Sequence, residues 1–180
     1  MNWDEYFVNM LDVVSLKSKD TTKTSAIIVG PNNEIRSTGY NGAPRGFNDN
    51  DKIKFEKPEK YFWIEHAERN AIYNAARVGT STDNCTLYAS HFPCIDCARA
   101  IVQAGITKVV ISNKNLDAFA HKSSMYYEHK QRTINLFRQC KVSLLIYGEE
   151  ENTGDFNEVI TDPILLKEMV KEDLDNLWGV

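Results

Sequence analysis

The 180-residue chain has no apolar run approaching the roughly 18 residues that a membrane span needs, so none of it reads as a transmembrane helix. Its opening, Met1-Asn2-Trp3-Asp4-Glu5, lacks the basic stretch followed by an apolar one that marks a secretory leader, and the expected location is cytoplasmic. Cysteine is scarce: four residues, at 85, 94, 97 and 140, are too few for a disulfide framework at this length. There is no internal repeat and no low-complexity segment. Basic charge is also short of what a nucleic-acid surface carries, with 21 Lys and Arg against 25 Asp and Glu, a formal net charge of -4. That acidity comes from one place. Residues 149–180 hold ten acids and two bases, and residues 1–148 fifteen acids and nineteen bases. A body at +4 suits a phosphorylated small molecule as partner. A hydrophobic content of 42% is enough for the core of one domain.

Trp3, Tyr6, Phe7, Met10, Leu11 and Val14 fall on one helical face, with Asn2 as the cap. Residues 26–29 and 35–40, either side of Gly30-Pro31-Asn32-Asn33, read as a hairpin. Residues 47–60 are charged and irregular and read as a long surface loop. The pattern then predicts a helix over 65–77 stopped by Gly79, a strand over 85–89, a helix over 94–103 and a strand over 108–112. A helix between 123 and 139 and a strand over 142–147 complete the body. This order implies an α/β fold, a mixed sheet covered on both faces. In the tail, Asp162-Pro163 opens a helix whose stripe Leu166, Met169, Val170, Leu174, Leu177 and Trp178 should dock on its own domain or on another subunit.

The chemistry is concentrated in His66-Ala67-Glu68 and Pro93-Cys94-Ile95-Asp96-Cys97. One imidazole and two thiolates suit zinc. Cys94 and Cys97 stand three apart at the start of a helix, so both sulfurs can face one point while the positive helix end favours their thiolate form. Three protein ligands leave one tetrahedral position open, as in catalytic zinc sites, and a water there would have its pKa lowered to roughly 7. Glu68, two residues from His66, is placed as a proton shuttle. A lone C-x-x-C also suits a structural zinc half-site or a redox pair, but His91 and His129 have no motif spacing that would complete a closed four-ligand set. The combined pattern H-x-E…P-C-x-x-C is that of zinc nucleobase deaminases.

Together with Thr38-Gly39-Tyr40-Asn41-Gly42-Ala43-Pro44-Arg45-Gly46, Trp3-Asp4-Glu5-Tyr6-Phe7 and Gln103-Ala104-Gly105-Ile106, these segments resemble the deoxycytidylate (dCMP) deaminase family of the cytidine deaminase-like superfamily. The resemblance covers residues 2–147. It implies a three-layer α/β/α fold with a central mixed five-stranded sheet, one catalytic Zn2+, and hydrolysis of dCMP to dUMP and ammonia. It further implies that His66, Cys94 and Cys97 hold the zinc, that Glu68 is the acid/base, and that Asn41 and the Ala67 amide hold the nucleoside. Members are commonly homohexamers activated by dCTP with Mg2+ and inhibited by dTTP, which makes Asn41, Gly42 and Arg45 effector candidates as well. Many relatives carry Cys-x-Arg before the first strand; here Lys23 is the point charge that could replace the arginine. Residues 1–148 are thus expected to form the deaminase domain and 149–180 an acidic extension outside the resemblance.

Two enzymatic alternatives are deamination of dCTP, alone or with dCMP, and of a base in RNA or single-stranded DNA; the last needs a basic track and stacking platforms that are not evident. A zinc-stabilised nucleic-acid-binding or interaction module would need a fourth protein ligand and no use for Glu68. Arg69 and Arg77 read as helix-surface residues, and His91 as shaping the loop before Pro93. Phe119, Tyr126 and Tyr127 could pack on a deoxyribose or in the core. Cys85 and Cys140 read as small buried apolar side chains. Lys52, Lys54, Lys57 and Lys60, interleaved with Asp51, Glu56 and Glu59, read as solvated surface.

Overall fold

Strand β1 (Ser25–Val29) is buried at every position and lies inside the sheet. The computed structural model describes residues 1–50, 52–112 and 125–147, without the side chains of 52 and 125–128. In it β1 pairs antiparallel with β2 (Ile35–Tyr40) on one side and with β3 (Thr86–Ala89) on the other. Strands β4 (Lys108–Ser112) and β5 (Ser143–Tyr147) continue in parallel, giving the order β2-β1-β3-β4-β5. Among the described residues five helices accompany the strands: α1 (Trp3–Ser15), α2 (Lys60–Trp63), α3 (Ala67–Val78), α4 (Ile95–Gln103) and α5 (Met125–Gln139). The mixed five-stranded sheet expected from the sequence is therefore present.

Alternation along the strands decides what each face holds. Ile27, Val29, Tyr88 and Val110 point to one side and pack with Phe7, Val8 and Leu11 of α1. Ala26, Ile28, Leu87, Ala89, Val109 and Ile111 point to the other, where they meet Ala67 and Ala71 of α3, Ala98 and Ile101 of α4, and Ile134 and Phe137 of α5. The result is three layers, with α1 on one face and, among the described residues, α3, α4 and α5 on the other. Phe7 and Phe137 are fully buried, and each such side chain contributes about 1.5–3 kcal/mol by leaving water. Helix α1 opens as expected, with the Asn2 side chain accepting from the Glu5 amide at 2.7 Å.

Helix α3 lies unusually close to β2. A Cβ at Gly39 would stand 2.3 Å from the carbonyl oxygen of Ala67 and 2.3 Å from the amide nitrogen of Ala71, both helix backbone. Three side chains stitch the two elements. Ser37 Oγ donates to the Ala71 carbonyl at 2.7 Å, Asn70 Nδ2 to the Tyr40 carbonyl at 2.8 Å, and Asn74 Nδ2 to the Thr38 carbonyl at 2.8 Å.

Four details differ from the sequence reading. The irregular stretch 47–60 contains a 3-10 turn (Lys52–Phe55) and leads into α2, organised by the stacked rings of Phe47 and Trp63, 5.3 Å apart, with the Lys54 ammonium 4.4 Å over Phe47. Helix α3 begins at Ala67 rather than 65, because Glu65 is in an extended backbone bridge with Gly42: the Gly42 amide donates to the Glu65 carbonyl at 3.0 Å and the Glu65 amide to Gly42 at 2.9 Å. Cys140 is exposed, since the chain turns at Lys141 through a positive φ of 57° before β5, whereas Cys85 is buried as expected. Lys60 is not a solvated lysine, as described below. The helix expected in the tail, and Phe119, lie outside the described residues. Among the described residues no helix is long and apolar enough to cross a membrane.

Candidate active site

Three chain segments end at the same edge of the sheet. Tyr40, Ser25 and Ala89 are the terminal residues of β2, β1 and β3 there, in register across the pairs Ser25 with Tyr40 and Ala26 with Ala89. The chain leaving β2 becomes the Asn41 loop and returns to start α3; the chain leaving β3 becomes the Pro93 loop and starts α4. Both helices open on a motif residue. His66 is the N-cap of α3, with extended backbone (φ -73°, ψ 154°), and Cys94 is the N-cap of α4 (φ -69°, ψ 167°). Neither side chain makes a cap hydrogen bond, so both are free to aim outward from the helix ends.

They aim at one another. His66 Nδ1 lies 3.5 Å from Cys94 Sγ and 3.5 Å from Cys97 Sγ, and the three ligand atoms fall within 4.8 Å of one another. Tetrahedral zinc with Zn–S near 2.3 Å and Zn–N near 2.05 Å places such an N and S about 3.6 Å apart, so the donor set has the spacing and the soft chemistry of a zinc site. Hydrogen bonding from Cys97, and then from His66, holds the Cys94 thiol down to about 3, while the same bond and burial push Cys97 up. Among the described residues this is the only His, Cys, Asp or Glu group so arranged.

Glu68 sits in the first turn of α3, buried, and burial raises its carboxyl above the ordinary range despite the opposing pull of His66. It lines a cavity of about 470 Å³ that also exposes His66 and Cys94. Asn41 is on the same wall. Its Oδ1 accepts from the Thr24 amide at 2.8 Å and its Nδ2 donates to the Thr22 carbonyl at 2.9 Å, which leaves one amide hydrogen for the cavity. Ala67 is buried under β2, off the cavity wall. Of the effector candidates other than Asn41, Lys23 is exposed, Gly42 is buried in its bridge with Glu65, and exposed Arg45 donates to Asn74 Oδ1; none of the three lines the cavity.

The cavity gathers residues that the motifs did not reveal. Asp20 is 2% exposed and accepts from Lys60 Nζ at 2.9 and 3.1 Å and from the Thr22 amide at 2.9 Å. Lys60 thus belongs to the wall; alternating charge signs around it concealed a partner forty residues away. Arg69 also lines the wall and is half-buried, clamped by Glu65. His91 is on the wall too, Nδ1 3.1 Å from Ser90 Oγ, and burial pushes its imidazole down. His129 Nδ1 accepts from the Ile95 amide at 3.3 Å, which ties α5 to the start of α4. Arg77, by contrast, is exposed at the end of α3, as read.

Residues 1–113 match the family model described as the cytidine and deoxycytidylate deaminase zinc-binding region. The chain is 37% identical over 125 residues to the deoxycytidylate deaminase of Pongo abelii, and 36% identical over 126 residues to that of Homo sapiens. Each alignment covers 66% of this chain and 69% of the relative. In three dimensions it resembles the dCMP deaminase of the cyanophage S-TIM5, solved in complex with dCMP and dUMP, with a TM-score of 0.61 and 28% identity over 79% of this chain and 94% of the phage protein.

Proposed function

The chain belongs to the cytidine and deoxycytidylate deaminase family, a zinc-binding family of enzymes, and from that premise we propose that it hydrolyses dCMP to dUMP and ammonia. The observation that carries the choice of substrate is that the Pongo abelii and Homo sapiens relatives, at 37% and 36% identity, are deoxycytidylate deaminases. His66, Cys94 and Cys97 would hold the zinc. When bound there, zinc supplies a Lewis acid that lowers the pKa of water to about 7 and so provides hydroxide at neutral pH.

The other steps belong to the protein. Glu68 takes the proton from the attacking water, delivers it to N3 of cytosine as C4 becomes tetrahedral, and then passes a proton to the departing amine. Its burial supports this role, because a carboxyl whose pKa is raised toward neutrality can both accept and return a proton. Ala67 keeps its side chain off the wall, but its amide heads α3 between the wall residues His66 and Glu68, where a helix leaves its first amides without internal partners, and it would donate to the base. Asn41, with its remaining amide hydrogen, would donate to the sugar.

The reading extends to a cytoplasmic homohexamer activated by dCTP with Mg2+ and inhibited by dTTP. A triphosphate held outside the cavity by Lys23, Gly42 and Arg45 would act on Asn41, which precedes Gly42 in the chain and accepts from the amide of Thr24, next to Lys23. The test is ammonia release from cytidine, dCMP, CMP and dCTP, each with and without dCTP or dTTP as effector. Turnover of dCMP above the others is expected; turnover of cytidine without dCMP would overturn the assignment, and preference for dCTP would change the substrate.

A further inference from the structure

Three long cations stand on the cavity wall: Lys60, Arg69 and Lys130. Two are committed elsewhere. Lys60 gives two of its hydrogens to the carboxylate of Asp20, and Arg69 is held by Glu65 through both Nε and Nη2. Lys130 is different. It is half-buried on α5, its ammonium lies 5.8 Å from the centre of the Phe92 ring, and among the described residues no carboxylate pairs with it. The other wall acids are accounted for: Asp20 by Lys60, Asp96 by Arg99, and Glu68 by its place beside His66. Desolvation without a counter-charge pushes the Lys130 ammonium below its ordinary range.

Its position is fixed relative to the candidate zinc ligands. Thr133, one turn further along α5, donates from Oγ1 to the Pro93 carbonyl at 3.1 Å, and His129, its neighbour, accepts from the Ile95 amide. Cys94 lies between those two anchor points. Helix α5 therefore holds the Lys130 ammonium in register with the Phe92-Pro93-Cys94 segment. A half-buried, unpaired cation on a cavity wall is incomplete until an anion arrives. A nucleoside monophosphate carries close to two negative charges at neutral pH, and a lysine meets phosphate as a compact point charge.

We propose that Lys130 receives the 5′-phosphate of the substrate and so selects nucleotide over nucleoside. The proposal rests on the deaminase reading above. It assigns the discrimination to the one cavity-wall cation with no carboxylate partner among the described residues, and leaves Lys60 and Arg69 as positioning residues for the walls.

The test compares the full-length wild type with Lys130→Met, which keeps the apolar stem over Phe92, and Lys130→Arg, using dCMP and deoxycytidine. Loss of a charge-assisted contact should raise KM for dCMP about 10- to 100-fold in Lys130→Met. The kcat/KM for deoxycytidine should stay within about twofold, and Lys130→Arg should recover most of the dCMP affinity. Inorganic phosphate should compete with dCMP in the wild type and not in Lys130→Met. Equal losses for both substrates, or an unchanged KM for dCMP, overturn the proposal. Calorimetric binding of dCMP and deoxycytidine reads it independently of turnover: dCMP binding that weakens only in Lys130→Met upholds it, and dCMP binding unaffected by the substitution refutes it. A wild type that binds dCMP and releases no ammonia sinks the deaminase reading instead.

Discussion

Gly39→Ala is a substitution of one methyl group, and the close approach of α3 to β2 makes it a test of how the active site is positioned. The added carbon would stand 2.3 Å from the Ala67 oxygen and 2.3 Å from the Ala71 nitrogen. Ordinary contacts begin near 3.5 Å, so helix and strand must separate by about 1 Å. Neither contact can be relieved by a rotamer change, because both are backbone. Overpacking of this kind costs about 1–3 kcal/mol, and in a chain of this size each kcal/mol lowers Tm by about 2–4 °C. Thermal unfolding should therefore begin about 2–12 °C lower. The same displacement carries His66 and Glu68 with α3 while Cys94 and Cys97 stay on α4. A zinc site tolerates only about 0.2 Å in its distances, so zinc content after dialysis, and turnover, should fall further than stability alone requires. Gly46→Ala is the comparison: Gly46 has a φ of 83° and open space around its Cα, so only backbone strain of about 1 kcal/mol is expected there, with zinc retained. If Gly39→Ala melts within a degree of the wild type and keeps its zinc, close packing of β2 and α3 is not what positions His66.

Glu68→Ala should retain one zinc per chain and lose at least about a hundredfold in kcat, measured by ammonia release; near-normal turnover would remove Glu68 from the mechanism. Lys60→Met strands the buried Asp20 carboxylate and should lower stability in urea by about 3–5 kcal/mol, much of it recovered in the double variant with Asp20→Asn; an unchanged midpoint would show that the pair is not structurally needed. Tyr88 donates to Asp4 from beneath α1, and burial followed by the Asp4 charge pushes its ionisation above the ordinary range. A raised acid contributes stability that is complete below the unfolded value of about 10 and is lost as pH climbs above it. Guanidinium midpoints at pH 9 and 11 should thus diverge in the wild type and converge in Tyr88→Phe, and equal divergence in both would refute the coupling.

Local patterns carried the fold because the main described elements announce themselves in their own sequence before tertiary packing acts on them. The alternation in Ala26-Ile27-Ile28-Val29 and the spacing of Phe7 and Leu11 assign faces without reference to the rest of the chain, and Asn2 caps α1 within three residues. His66, Cys94 and Cys97 were legible for another reason: metal chemistry demands particular atoms at helix starts, and those leave fixed spacings. The residues that were not legible owe their place to tertiary packing. Asp20 and Lys60 meet across forty residues, and nothing in the charged stretch 51–60 marks Lys60 apart from its neighbours. His129 and Lys130 reach the cavity because α5 crosses α4 beside Pro93, a relation with no period in the sequence. The sequence pattern runs α3 two residues too early because the Gly42 bridge takes Glu65 out of a helical pattern that propensity alone would continue.

The Gly42 and Glu65 bridge, reinforced by Lys60 on Asp20, closes the chain between β2 and α3 into a handle attached at its base. The ends of the handle are fixed by the body rather than by its own contents. Its contour is therefore free to lengthen, at an entropic cost of only about 0.6 kcal/mol for each doubling. An insertion at the exposed Asn48 or Asn50 would change the outline of the protein and the approach to the cavity while His66 stays where the clasp puts it. In this architecture the outer part of the handle, ahead of the cavity-lining Lys60, is where a lineage can vary what surrounds the reaction without touching the reaction itself.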